Sequence, residues 1–89
     1  MRAIITVIGK DTTGIIAQVS DVLWKNSVNI VDITQSVLDD LFVMVMLADI
    51  SKSKVAFPEL SGKVTGLGDE LGLKIHMMHE DVFNSMHRI

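Results

Sequence analysis

Eight consecutive residues, Leu41-Phe42-Val43-Met44-Val45-Met46-Leu47-Ala48, are all apolar. The run is too short to cross a bilayer, which takes about 18 residues or more. Asp39-Asp40, just before it, form a tight turn. The run therefore reads as a strand, Leu41–Ile50, paired antiparallel with the strand before the turn. Side chains alternate across a strand, so both faces of this one need burial. One layer of helices covers one face. Either the Leu/Val set or the Phe42, Met44, Met46 set is left for another cover. A second copy, its sheet meeting the first by face or by edge across a two-fold axis, is the economical one; a terminal helix with loops is the alternative. Of 89 residues, 48% are hydrophobic, enough for a full core with apolar surface to spare.

The other elements follow from periodicity. Ala3–Ile8 is rich in strand formers and stops at Gly9. Thr12 or Thr13 is placed to cap a helix. Ile15, Ile16, Val19, Val22 and Leu23 then share one helical face, with Gln18, Asp21 and Lys25 opposite, and Asn26-Ser27 ends the helix. Asn29–Leu38 alternates as a strand, with Val31, Ile33 and Val37 on one face and Asp32, Thr34 and Ser36 on the other. Ser51–Lys54 is a polar connection. Phe57, Leu60, Val64, Leu67 and Leu71 mark a second helix, and Pro58, which fits only a first turn, starts it near residue 57. Gly62, Gly66 and Gly68 conflict with that helix at about 1 kcal/mol each, so packing holds it or its second half frays. Gly72 terminates it, and Leu73–His79 is the fourth strand. Glu80–His87 is a short C-terminal helix with Val82, Phe83 and Met86 as its apolar stripe. Trp24, on the flank of the first helix, is expected to be partly buried. With right-handed crossovers, this β-α-β-β-α-β order is an α+β, ferredoxin-like sandwich in one domain, residues 1–89. Its four-stranded antiparallel sheet carries both long helices on one face.

Several function classes are disfavoured. Net charge is −3 with both signs scattered, unlike the basic stripe of a nucleic-acid binder. RNA-binding domains of this topology place aromatics on the middle strands; here the first strand has none and the third only Phe42. No cleavable leader pattern and no membrane span is evident, so a cytoplasmic protein is expected. The absence of cysteine removes disulfides and thiolate metal sites. His76 and His79, three apart in a strand, lie on opposite faces and cannot chelate one ion. His87-Arg88 at a helix end suits the helix dipole. Met44, Met46, Met77 and Met78 read as core or interface filler. No nucleophile arrangement is recognisable, and neither catalysis nor a cofactor is expected. Acylphosphatases share the element order but place an arginine just inside the first helix; none occurs between Gly9 and Asn26.

What chemistry there is gathers at Gly9-Lys10-Asp11-Thr12-Thr13-Gly14-Ile15-Ile16. A turn opening directly into a helix presents N–H groups that no helical carbonyl reaches, a place for a carboxylate or phosphate. Asp11 sets a negative charge beside it, and Asn29, at the mouth of the second strand, adds a neutral donor and acceptor. Such a pairing suits a small zwitterion such as an amino acid. Each feature also has a structural explanation. Asp11 can favour the helix start, Gly14 can permit close packing of helix on strand, and Asn29 can satisfy a turn.

The segments Gly9-x-Asp11-x-x-Gly14-Ile15-Ile16-Ala17-x-Val19 and Val28-Asn29-Ile30-x-Asp32-Ile33 resemble the ACT domain, a small regulatory module of amino-acid metabolism. Gly72-Leu73-Lys74-Ile75 and the segment 80–89 are similar to the stand-alone ACT proteins of bacteria and archaea; ordinary ACT domains lack that tail. The resemblance implies a ferredoxin-like fold that pairs, with any ligand between two domains at the loop after the first strand. On that pattern Asp11 touches the ligand, Gly14 and Ile15 form the backbone approach, Asn29 reaches across the interface, and Ile30 lines the side-chain pocket. Two positions depart from it. Thr13 stands where many ACT domains have proline, and Ser27 where many have glycine.

The functional expectation is a non-catalytic homodimer that binds a free amino acid between its subunits and signals to a protein partner. The alternative is a ligand-free module for dimerisation and protein interaction, since many ACT domains bind nothing.

Overall fold

The apolar run is an inner strand, and its two faces meet different fates. The computed structural model describes residues 1–10 and 12–86. In chain order the elements are β1 (Arg2–Lys10), α1 (Ile15–Lys25), β2 (Asn29–Leu38), β3 (Leu41–Asp49), α2 (Phe57–Leu71), β4 (Lys74–His79) and α3 (Glu80–Met86). The sheet order is β2-β3-β1-β4, antiparallel throughout, which is the ferredoxin-like arrangement expected. A two-residue turn, Asp39-Asp40, joins β2 to β3, with φ of 60° at Asp39, the positive first φ of a primed hairpin turn.

Phe42, Met44, Met46 and Ala48 of β3 face the helices and are buried with Ala3, Ile5 and Val7 of β1 and Ile75 and Met77 of β4. Ile15, Val19 and Leu23 of α1 and Leu60 and Val64 of α2 close the core from above. Each large side chain so buried contributes about 1.5–3 kcal/mol relative to exposure. Of the expected α1 face, Ile16 comes to the surface, because it sits one residue round the helix from Ile15. Leu41, Val43, Val45 and Leu47 point the other way, onto the side of the sheet that carries no long helix.

Several expectations need correction. Neither threonine caps α1: the N-cap is Gly14, at φ 85°, and no side-chain hydrogen bond caps the helix. Gly14 is therefore required by its left-handed backbone. It does not serve close packing, since a Cβ there would meet only the end of Gln18. Trp24 is 75% exposed rather than partly buried. Helix α2 runs unbroken from Phe57 to Leu71 despite its glycines. One of them is demanded by packing: a Cβ on Gly68 would lie 2.9 Å from the Ile75 side chain and from the Leu73 carbonyl. β4 starts at Lys74, one residue later than expected, and β1 extends to Lys10. In α3, Phe83 is half-buried, but Val82 and Met86 of the expected stripe are exposed.

β2 is an edge strand, and a bulge between Ile30 and Asp32 resets its alternation. After the bulge Ile33, Gln35 and Val37 lie on the helix side, opposite Met46, Met44 and Phe42, while Asp32, Thr34 and Ser36 lie on the bare side. The helices stand over the inner strands, so Ile33 and Val37 remain exposed even on the helix side.

Candidate functional site

The start of α1 is built to leave its N–H groups available. The carbonyl of Gly14 accepts the first helical hydrogen bond from the N–H of Gln18 at 3.0 Å. The N–H groups ahead of Gln18 have no such partner in the helix, and no side chain takes their place. This helix start overlooks the far end of β2 across a shallow notch of about 320 Å³ lined by Thr12, Gly14, Ile15, Ile16, Ala17, Gln35, Val37 and Phe42. Ile15 itself is buried in the core, so it gives the notch its backbone more than its side chain. Gln35 is the polar exception in a helix-side row that otherwise holds Ile33 and Val37. Asp11 lies outside the described residues.

Asn29 and Ile30 sit at the opposite end of β2. Eight residue steps separate Asn29 from Val37, about 26 Å in a strand. Ile30 pairs with Ala48 on the helix side and packs, half-buried, against the core. Asn29 pairs with Asp49 and is set by that register on the bare side. It lines a recess of about 250 Å³ with Ser27, Asp49, Ser51 and Lys52. Ser51, through its hydroxyl and its N–H (2.9 Å to Asp49 Oδ1), holds the Asp49 carboxyl below its ordinary range. Asn29 makes no side-chain hydrogen bond within the described residues, so satisfying a turn does not explain it. A single chain thus brings Gly14 and Ile15 together and keeps Asn29 and Ile30 apart from them.

Gln35 and Val37 escaped the sequence-based reading of the site. Their signal was the period of two: Gln35 has the parity of Ile33 and Val37, which places it on the helix side near the loop. The histidines behave as their spacing requires. His76 pairs with Thr6 on the bare side, whereas His79 stacks on Phe57 on the other, ring centroids 4.1 Å apart. Among the described residues no group of three or more histidine, aspartate or glutamate side chains could hold a metal ion. No helix there is long and apolar enough to cross a membrane.

Comparison with known proteins agrees with this architecture. The family model for the ACT domain matches residues 2–78. A UPF0237 protein of Methanococcus maripaludis is 52% identical over 88 residues, which are 99% of this chain and 98% of that one. A UPF0237 protein of Listeria innocua is 47% identical over the full length of both. Among solved structures, an ACT domain protein from Streptococcus pneumoniae superposes with a TM-score of 0.81 at 40% identity, covering 93% of each chain. The regulatory subunit of aspartate kinase from Thermus thermophilus shares the fold, with a TM-score of 0.66 at 23% identity over 86% of this chain and 50% of that one. Strand order and the match over nearly the whole sheet converge: the chain belongs to the ACT domain family.

Proposed function

We propose that the chain is a cytoplasmic, non-catalytic regulatory module that binds a small free amino acid as a homodimer. Each site is shared between the first turn of one copy and the start of β2 of the other. The observation that carries this reading is the placement of the candidate residues at the two ends of an edge strand. Two edge strands paired antiparallel about a two-fold axis set the start of each beside the end of the other. The Asn29–Ile30 end of one copy then stands by the Gly14 end of the next. Such pairing also satisfies the open backbone groups of β2 and covers Ile33 and Val37. ACT domains are commonly regulatory amino-acid-binding modules, which supports the reading.

In this arrangement the N–H groups of Ile15, Ile16 and Ala17 receive the ligand carboxylate, Asp11 takes its ammonium, and Gln35 and Asn29 add neutral contacts. An amino acid of about nine heavy atoms binds with about −5 kcal/mol, a Kd of order 0.1 mM. Asn29 must reach its ligand around the strand edge, so the reading is most easily tested there. Titration calorimetry with a panel of amino acids should give heat for at least one of them. Asn29→Ala should weaken that binding several-fold and leave the oligomer intact. Unchanged affinity removes Asn29 from the site. Silence across the panel at millimolar ligand favours ligand-free assembly, a reading to which the burial of the Ile15 side chain lends weight.

A further inference from the structure

The end of the sheet opposite the notch joins three segments that lie far apart in sequence. The amino group of Met1 donates to Ser51 Oγ at 2.8 Å, and the Ile50 N–H donates to the Met1 carbonyl at 3.0 Å. The Lys54 N–H donates to the Asn26 carbonyl at 3.0 Å, which ties the connection after β3 to the turn before β2. These bonds fix the backbone around the recess of Ser27, Asn29, Asp49, Ser51 and Lys52. The fold leaves most of the polar side chains there unused. Ser27, Asn29 and Lys52 make no side-chain hydrogen bond or ion pair within the described residues. Asp49 accepts from the N–H and the hydroxyl of Ser51 only, and a carboxylate has room for about four such bonds. Ser27 also holds a φ of 61°, strain that a glycine would not carry, and strain of this kind gathers at functional sites.

The charges decide what fits. Both signs line the recess, Asp49 on one side and Lys52 on the other, with the Met1 amino group bonded to the same Ser51. A plain anion would meet Asp49, and a plain cation would meet Lys52 and Met1. A ligand with an acceptor and a donor on neighbouring atoms satisfies both. We infer that the recess is a binding site for a small carboxylate that bears an amino or hydroxyl group on the adjacent carbon. Lys52 Nζ and Asn29 Nδ2 donate to the carboxylate, and Asp49 accepts from the ligand's ammonium or hydroxyl. The Ser27 hydroxyl is placed to add a further bond. A recess of about 250 Å³ suits a molecule of the size of alanine. The site lies within one chain, at the other end of β2 from the Gly14 notch. It therefore goes beyond the proposed function and needs no second copy.

Backbone amide shifts of the whole, isotope-labelled chain test this with alanine, lactate and propionate. The three probes are nearly equal in size and carry an ammonium, a hydroxyl and neither. Alanine or lactate should move the amides of residues 27–29 and 49–52, saturating at millimolar concentration, and propionate should leave them in place. Lys52 is exposed, so Lys52→Ala should keep the rest of the spectrum and weaken the binding at least about fivefold. Asp49→Asn separates the two sources. It should weaken alanine at least about tenfold and lactate much less, because an amide oxygen still accepts from a hydroxyl. Shifts confined to residues 14–17 would support the notch of the proposed function and overturn the recess. Shifts at the recess alone support the recess, whatever the fate of the notch. Silence at the recess with both probes, equal shifts with propionate, or an affinity unchanged in Lys52→Ala overturns the inference.

Discussion

α1 and α2 end in the same hydrogen-bond pattern with different residues at the position that matters. In α2 the N–H of Leu73 donates to the Gly68 carbonyl at 2.8 Å and Gly72 takes φ 71°. In α1 the N–H of Val28 donates to the Leu23 carbonyl at 2.9 Å, the N–H of Ser27 to the Trp24 carbonyl at 3.0 Å, and Ser27 takes φ 61°. Both are Schellman ends, which need a left-handed residue. Gly72 adopts that conformation at no steric cost, whereas Ser27 bears about 1 kcal/mol of strain. Its side chain makes no hydrogen bond within the described residues that would offset this. Ser27→Gly should therefore stabilise the chain by about 0.5–1 kcal/mol, read as a higher urea midpoint at unchanged m-value. A lower midpoint would mean that Ser27 is held by a contact formed only in the assembly. The ACT resemblance already singled out this position, because many of those domains carry glycine there. The backbone angle supplies the reason.

Helix α2 poses the opposite question, glycine where no backbone angle asks for it. Gly68 is explained by the approach of β4, but a Cβ on Gly62 or Gly66 would meet nothing within 4 Å. Both border the groove between α1 and α2, with Asp21, Lys25, Lys63 and Glu70 around them. Nothing in the structure explains why these two positions hold glycine. Alanine at each should raise stability by about 0.5–1 kcal/mol through helix propensity, and the pair by about 1–2 kcal/mol, or roughly 4–16 °C in melting temperature. A thermal melt of Gly62→Ala/Gly66→Ala that shows no gain would mean that the groove must close more tightly than in the protomer. The existence and order of the elements were legible because apolar spacing changes cleanly from two to 3.6 and back. The cap of α1 was not. Thr12 and Thr13 are good capping residues by type, but a left-handed Gly14 between them and the helix takes the N-cap position itself. Trp24 was misread for a related reason: it neighbours Leu23 in sequence but stands about 100° round the helix, beyond the width of the core.

At the scale of the whole molecule, the all-apolar β3 already required something beyond one helix layer, and the bare side bearing Leu41, Val43, Val45 and Leu47 meets that expectation. The site was legible only in part. Gly14 and Asn29 were both identifiable from the pattern around them, but a linear motif carries no information on which end of the sheet each reaches; the hairpin and the bulge at Val31 decide that. If copies pair along the β2 edge, folding and assembly are linked, and the linkage has a measurable size. A chain of 89 residues buries only about 60–65% of its unfolded surface, so the lone protomer is marginal. Dimerisation that occurs only in the folded state adds about 0.7 kcal/mol per chain for each tenfold rise in concentration above the dissociation constant. With an unfolding entropy near 2.1 cal/mol/K per residue, that increment raises the melting temperature by about 4 °C per decade. Differential scanning fluorimetry on Trp24, from low micromolar to several hundred micromolar chain, should therefore show a midpoint that climbs steadily. A midpoint that stays level over two decades would mean that the chain melts alone, with its apolar sheet face and its β2 edge in water.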